Sequence, residues 1–231
     1  MPAGFDIDSY DAIEKALAPF AGLPHWKHWA RGFSGFAFRY RGAVEANERF
    51  CAIVGGTGTR FQEEDCFFAM LTNGVAASEC YYFALYCLGA IADETHFGRM
   101  SASGMRRITP DVVAESYSKG FPDDELTACI IRSVRSGARA QLVEYRDVLA
   151  HRGSLPREYT VDLAPDGIIS RKRATGTFVP SQPKKPIKDQ GRLALHSGTT
   201  EPWLDWLQED SNSLLNSTLM FCLGRLPRPV A

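Results

Sequence analysis

The sequence predicts a mainly α protein, a helical bundle with a small β-hairpin excursion and a C-terminal helix. Apolar residues recur at helical spacing over most of the first 150 positions. Starting and stopping residues punctuate that pattern, as in Thr109-Pro110 and Gly120-Phe121-Pro122. Past Gly153 the pattern changes to strand-like alternation. The chain has 231 residues, 45% apolar and 23% charged, which allows a substantial core and differs from the polar profile of a disordered chain.

A first helix is expected over Asp8 to Phe20, ended by Gly22-Leu23-Pro24. A longer one follows from Pro24 to Val54, with Trp29, Phe33, Phe36, Tyr40, Val44, Asn47 and Cys51 on one side and Lys27, Arg31, Arg41 and Arg49 on the other. Gly32, Gly35 and Gly42 lower its intrinsic propensity, so close packing against a neighbour must compensate. Gly55 to Arg60 reads as a connector, since it lacks the Gly-Lys-Ser/Thr ending of a phosphate-binding loop.

Gln62 to Asp93 is apolar almost all round, but Asn73 and Glu79 divide it into pieces shorter than the roughly 18 residues of a membrane span. A buried central helix is therefore expected, with no membrane partner, and Glu79 becomes a candidate buried carboxylate in need of a partner. Thr109 caps a short helix to Lys119, and Asp123 or Asp124 caps a long one to His151. In that long helix Leu126, Cys129, Ile130, Val134, Ala138, Gln141, Tyr145 and Val148 form the inward stripe, while Arg132, Arg135, Arg139 and Arg146 share another side.

Residues 154–231 contain the alternating segments Glu158 to Leu163, Ile168 to Ser170 and Thr177 to Val179, with a Pro165-Asp166-Gly167 turn. A solvated connector, Pro180 to Lys188, leads to a last helix opened by Glu201-Pro202 and running to Leu223. There Trp203, Leu204, Leu207, Leu214, Leu215, Met220 and Phe221 are available for packing. This second part is expected to pack on the helical domain of residues 1–153.

A net charge of −1 gives no global field to draw the chain onto nucleic acid, so any basic surface must be local. The N-terminal residues do not read as a secretory signal, and the six cysteines lack paired spacing; a cytoplasmic setting with reduced thiols is expected. His25 and His28 lack a third ligand, so no metal or other cofactor is expected. Hydrolase-elbow and dinucleotide glycine patterns are also missing.

The segment Tyr145-Arg146-Asp147-Val148-Leu149-Ala150-His151-Arg152-Gly153 supplies the candidate site. Its Arg-x4-His pattern, with a polar residue after the arginine and a place late on a long helix, resembles the Arg-x(4–6)-His motif of the HEPN superfamily. The resemblance covers Pro24 to Gly153. It implies a helical bundle that dimerises and, in catalytic members, a metal-independent endoribonuclease of toxin or defence type, with RNA as substrate and an antitoxin as a possible protein partner. On that basis His151 acts as acid or base, Arg146 stabilises charge on the phosphate and Asp147 orients one of them. Arg132, Arg135, Arg139 and Arg152 are candidate RNA contacts.

The residue types suit the task. An imidazole of ordinary basicity exchanges protons near neutral pH, and a guanidinium fork matches a phosphorane. On a regular helix, however, five residues leave Arg146 and His151 about 140° apart. Either the helix frays before His151 or two chains complete each other's site across a twofold axis. Ordinary helix-end chemistry is the competing account, with His151 and Arg152 at the negative end of the dipole and Arg146 paired to Glu79. Two other functions compete: a non-catalytic helical dimer that binds a partner protein or a nucleotide, and a small-molecule pocket lined by Tyr81, Tyr82 and Tyr86.

Overall fold

The structure, a computed structural model, describes residues 4–98, 101–152, 157–163, 169–176 and 198–226. It is mainly α. The helices are α1 (Ile7–Leu17), α2 (Pro24–Ile53), α3 (Arg60–Ala92), α4 (Ala102–Met105), α5 (Pro110–Gly120), α6 (Glu125–Val134), α7 (Gly137–Arg152) and α8 (Glu201–Arg225). Two strands, β1 (Arg157–Leu163) and β2 (Ile169–Gly176), pair antiparallel with an irregularity between Asp162 and Leu163. The expected turn at Pro165-Asp166-Gly167, the segment from Thr177 to Val179 and the connector from Pro180 to Lys188 lie outside the described residues.

The bundle is organised around α2 and α3, which pack along their lengths as an antiparallel pair. Their close approach depends on small residues: a Cβ on Gly32 would lie 3.1 Å from both the Ala84 nitrogen and the Cys80 carbonyl oxygen on α3. Thr59 and Gln62 start α3 with a capping box, each satisfying a backbone N–H of the other. α3 is long and apolar enough to cross a membrane by composition, and it lies mostly buried among the other helices.

Aromatic rings fill the space between α1, α2 and α3. Tyr10 stacks on Phe33 at 4.2 Å, Trp29 on Phe33 at 5.0 Å and Phe36 on Tyr81 at 4.5 Å. Each such pair contributes roughly 0.5–1.5 kcal/mol beyond the area it buries. Buried hydroxyls find partners: Tyr117 donates to the Leu85 carbonyl at 2.8 Å, and Tyr81 shares a hydrogen bond with Thr218 at 3.0 Å. The cysteines are thiols, with Cys87, Cys129 and Cys222 buried.

At the far end of α3, Gly89 gives Phe97 its place. A Cβ there would fall 2.2 Å from the Phe97 ring, which itself packs edge-on against Tyr86 and Tyr117. Gly89→Ala is expected to destabilise the protein by about 1–3 kcal/mol through this overlap, against the slight gain that alanine brings to an open helix position. A lowered urea midpoint at unchanged slope checks it.

α8 belongs to the core. Leu207, Leu214, Leu215, Phe221 and Cys222 join the main apolar cluster, and Trp203 joins a second one formed with Phe50, Phe67, Met70, Leu71 and Leu142. Met220, expected to pack, is exposed. A polar clasp ties α8 to the start of α1. Asn212 Oδ1 accepts from the Asp6 N–H at 3.0 Å, Asn212 Nδ2 donates to the Gly4 carbonyl at 2.7 Å, and Ser9 Oγ donates to Asn216 Oδ1 at 3.1 Å.

The helix expected to run unbroken to His151 is two helices. α6 ends in a tight turn, with the Ser136 N–H donating to the Ser133 carbonyl, and α7 starts as the Ala140 N–H donates to the Ser136 carbonyl, both at 3.1 Å. Arg135 leaves helical geometry at ψ 2°. Serine favours such a boundary and Gly137 gains little from helix, so the pair breaks the element. The break shifts the register of the inward face: Leu142 is buried, and Gln141, predicted to face inward, is exposed.

Candidate functional site

The end of α7 places Arg146 and Asp147 together. Arg146 Nε donates to Asp147 Oδ1 at 2.6 Å, with the arginine side chain 26% exposed and the aspartate 53% exposed. Their neighbour Tyr145 packs on Trp203 at 5.0 Å, anchoring this part of α7 to the start of α8. α7 stays helical through His151 and Arg152, whose side chains lie outside the described residues. No fraying before His151 brings it round to Arg146, and the separation of about 140° around the axis stands.

Glu79 is exposed, which corrects its expected burial and its pairing with Arg146. Because α3 is apolar on every side, periodicity carries no information about which face Glu79 takes. Glu63 and Asp210 fill that role instead. Glu63 is 5% exposed and accepts from the Gly55 N–H at 3.3 Å. Asp210, on α8, lies at the head of a polar chain that runs into the core.

Ser133 Oγ donates to Asp210 Oδ2 at 2.6 Å, and its own oxygen lies 2.5 Å from the Tyr82 hydroxyl. With the Ser133 proton committed to the carboxylate, Tyr82 must supply the proton of the second bond. Burial pushes the Tyr82 hydroxyl well above its ordinary range, which keeps it a donor. Arg139 lies over the Tyr82 ring at 5.6 Å, its buried Nε without a hydrogen-bond partner.

Burial pushes the Asp210 carboxyl up to about 6, opposed by the Ser133 hydrogen bond and by the charges of Arg132 and Arg139. The folded state therefore holds this proton more tightly than the unfolded chain does. The resulting stabilisation is complete below the ordinary carboxylate pKa of 3.8 and is lost as pH rises through about 6. Its size is on the order of 3 kcal/mol. Asp210→Asn should gain on the wild type by that amount between pH 4 and pH 7, in urea denaturation at each pH; a constant difference across the range would show that the carboxyl is not perturbed.

Asp210 also lines a cleft of about 300 Å³ with Arg132, Ser136, Trp206, Glu209 and Ser213. Arg132 Nη2 lies 3.5 Å from Ser213 Oγ, and Ser213 Oγ lies 3.2 Å from the buried Cys129 thiol. The four arginines expected on one side divide at the helix break. Arg132 opens onto the cleft, Arg135 is exposed where α6 ends, Arg139 is held over Tyr82, and Arg146 lies further along α7.

Asp210 was open to sequence reasoning. Trp203, Leu207, Asp210 and Leu214 follow one another at helical spacing, so a carboxylate interrupts the buried stripe of α8. The proposed tyrosine pocket is a correction: Tyr81, Tyr82 and Tyr86 are buried core residues, and none lines the cleft. Among the described residues no group of three His, Cys, Asp or Glu side chains could hold a metal ion, and His25 is instead 3.4 Å from Glu94. Compared with known proteins, the chain matches no family model, no curated protein and no solved structure.

Proposed function

We propose that this protein is a metal-independent endoribonuclease of the HEPN toxin or defence type, acting as a homodimer. The observation that supports it most is the Arg146–Asp147 pair, held at 2.6 Å in the second half of α7 with the aspartate exposed and the arginine partly so, on the helix that carries His151 five residues further on. Asp147 fixes one nitrogen of the guanidinium and so orients the rest of the fork.

In the reaction, His151 takes the proton of a ribose 2′-hydroxyl. The 2′-oxygen bonds to phosphorus, the bond from phosphorus to the 5′-oxygen breaks, and an imidazolium returns a proton to that leaving oxygen. Arg146 neutralises the charge on the phosphorane. The products carry a 2′,3′-cyclic phosphate and a free 5′-hydroxyl. Because α7 keeps its helical geometry between the two residues, the reading requires the Arg146 of one protomer to face the His151 of its partner.

Incubating the purified protein with RNA in excess chelator tests the proposal. Cleavage that Arg146→Ala and His151→Ala both abolish supports it, and intact RNA at every protein concentration overturns it. The Asp210 cleft favours a second reading, a non-catalytic helical dimer that binds a nucleotide, which the absence of cleavage would bring forward.

A further inference from the structure

The cleft between α6 and α8 brings together groups able to hold a polar aromatic ligand. An indole, a guanidinium, two hydroxyls and two carboxylates surround about 300 Å³, the lower end of the range for small-molecule sites and room for a single heterocycle. One of those carboxylates, Asp210, is mostly buried and locked from the core side by Ser133, which Tyr82 locks in turn. Keeping a charge in such a place works against folding, and an amide of the same shape would accept the same Ser133 proton without that cost.

We propose that this cleft is a nucleobase subsite for guanine, in which the Asp210 carboxylate receives the N1–H and the 2-amino group while Trp206 stacks on the ring. The inference goes beyond the nuclease reading and does not depend on it.

The choice of base follows from donors and acceptors. An ionised carboxylate only accepts, and each of its oxygens has two lone pairs, so Asp210 Oδ2 can hold Ser133 and still take a second donor. Guanine presents two adjacent donors on its pairing edge. Adenine and cytosine each present one amino donor beside a ring nitrogen that is itself an acceptor and is repelled by the carboxylate. Uracil offers one N–H between two carbonyls. Stacking on an indole suits every base, so Trp206 contributes affinity and Asp210 contributes the selection.

Arg132, exposed at the rim and close to Ser213, is placed for a phosphate. Trp206 lies one helical turn beyond Trp203, on which Tyr145 packs next to Arg146. The cleft and the Arg146 end of α7 therefore border the same stretch of α8.

Calorimetry on the full chain at pH 7.5, with the 5′-monophosphates of guanosine, adenosine, cytidine and uridine and with agmatine as a simple cation, tests the proposal. GMP is expected to bind at least tenfold more tightly than the other four ligands. Asp210→Asn should weaken GMP at least tenfold while retaining the fold, as read by circular dichroism and the urea midpoint. Arg132→Gln, a change at an exposed position, should weaken GMP several-fold more than it weakens guanosine. Arg146→Ala should bind GMP like the wild type, which separates the cleft from the nuclease motif.

Equal affinity for the four nucleotides, a preference for agmatine, no binding of GMP at millimolar concentration, or GMP binding that survives Asp210→Asn would each overturn the assignment.

Discussion

Replacing either Arg146 or His151 by alanine is expected to lower RNA cleavage in excess chelator by at least about 100-fold, the usual scale for losing a general acid–base group or a charge stabiliser. The geometry of α7 adds a sharper outcome. Mixing the two inactive variants, unfolding them together and refolding them should restore roughly a quarter of the wild-type rate, because half of the dimers are then mixed and each mixed dimer holds one intact pairing of Arg146 with the partner's His151. A site built within one chain would gain nothing from mixing. Asp147→Asn should cost less than either alanine variant, since the amide oxygen can still accept from Arg146 Nε, 2.6 Å away in the wild type.

The second large effect lies in the core. Phe33 is 1% exposed and its ring meets those of Tyr10, Trp29, Phe36 and Tyr81. Phe33→Ala removes one partner from four ring contacts and leaves a cavity, with an expected loss of about 3–5 kcal/mol. That is a large share of the roughly 5–15 kcal/mol that holds a typical domain folded. Phe38, five residues along the same helix, is 70% exposed, and Phe38→Ala should change stability by less than about 0.5 kcal/mol. Urea denaturation of the two variants side by side checks the pair, and similar losses in both would mean that α2 is rotated from its described position.

Amphipathic segments of this chain were readable from sequence, and those without a polar face were not. Trp29, Phe33, Phe36 and Tyr40 mark the buried side of α2 at helical spacing, but beyond Tyr40 the buried residues are Ala43, Ala46 and Phe50 in place of the expected Val44, Asn47 and Cys51. The stripe drifts because two long helices wrap around each other, a property of the pair that the single segment does not carry. α3 offers no polar face to set against an apolar one, so nothing in its pattern marks Glu79 as lying outside, where it is found.

The break between α6 and α7 had a local signal in Ser136-Gly137, overridden by the regular arginines on both sides. The sequence puts the Arg146–Asp147 step near the end of a long helix, and it lies in the second half of α7. The Asp210 cleft needed three segments, around Tyr82, Ser133 and Asp210, to be brought together from distant parts of the chain. No pattern within any one of them announces that meeting.

The clasp between α1 and α8 joins groups more than 200 positions apart, as between Asp6 and Asn212. During synthesis, α1, α2 and α3 leave the ribosome long before the helix that closes over them. Until α8 arrives, the side chains it will cover, among them Tyr81, Tyr117 and Cys129, face solvent. The core therefore closes only once α8 has been made, and until then the nascent chain presents an apolar seam to chaperones and to neighbouring chains.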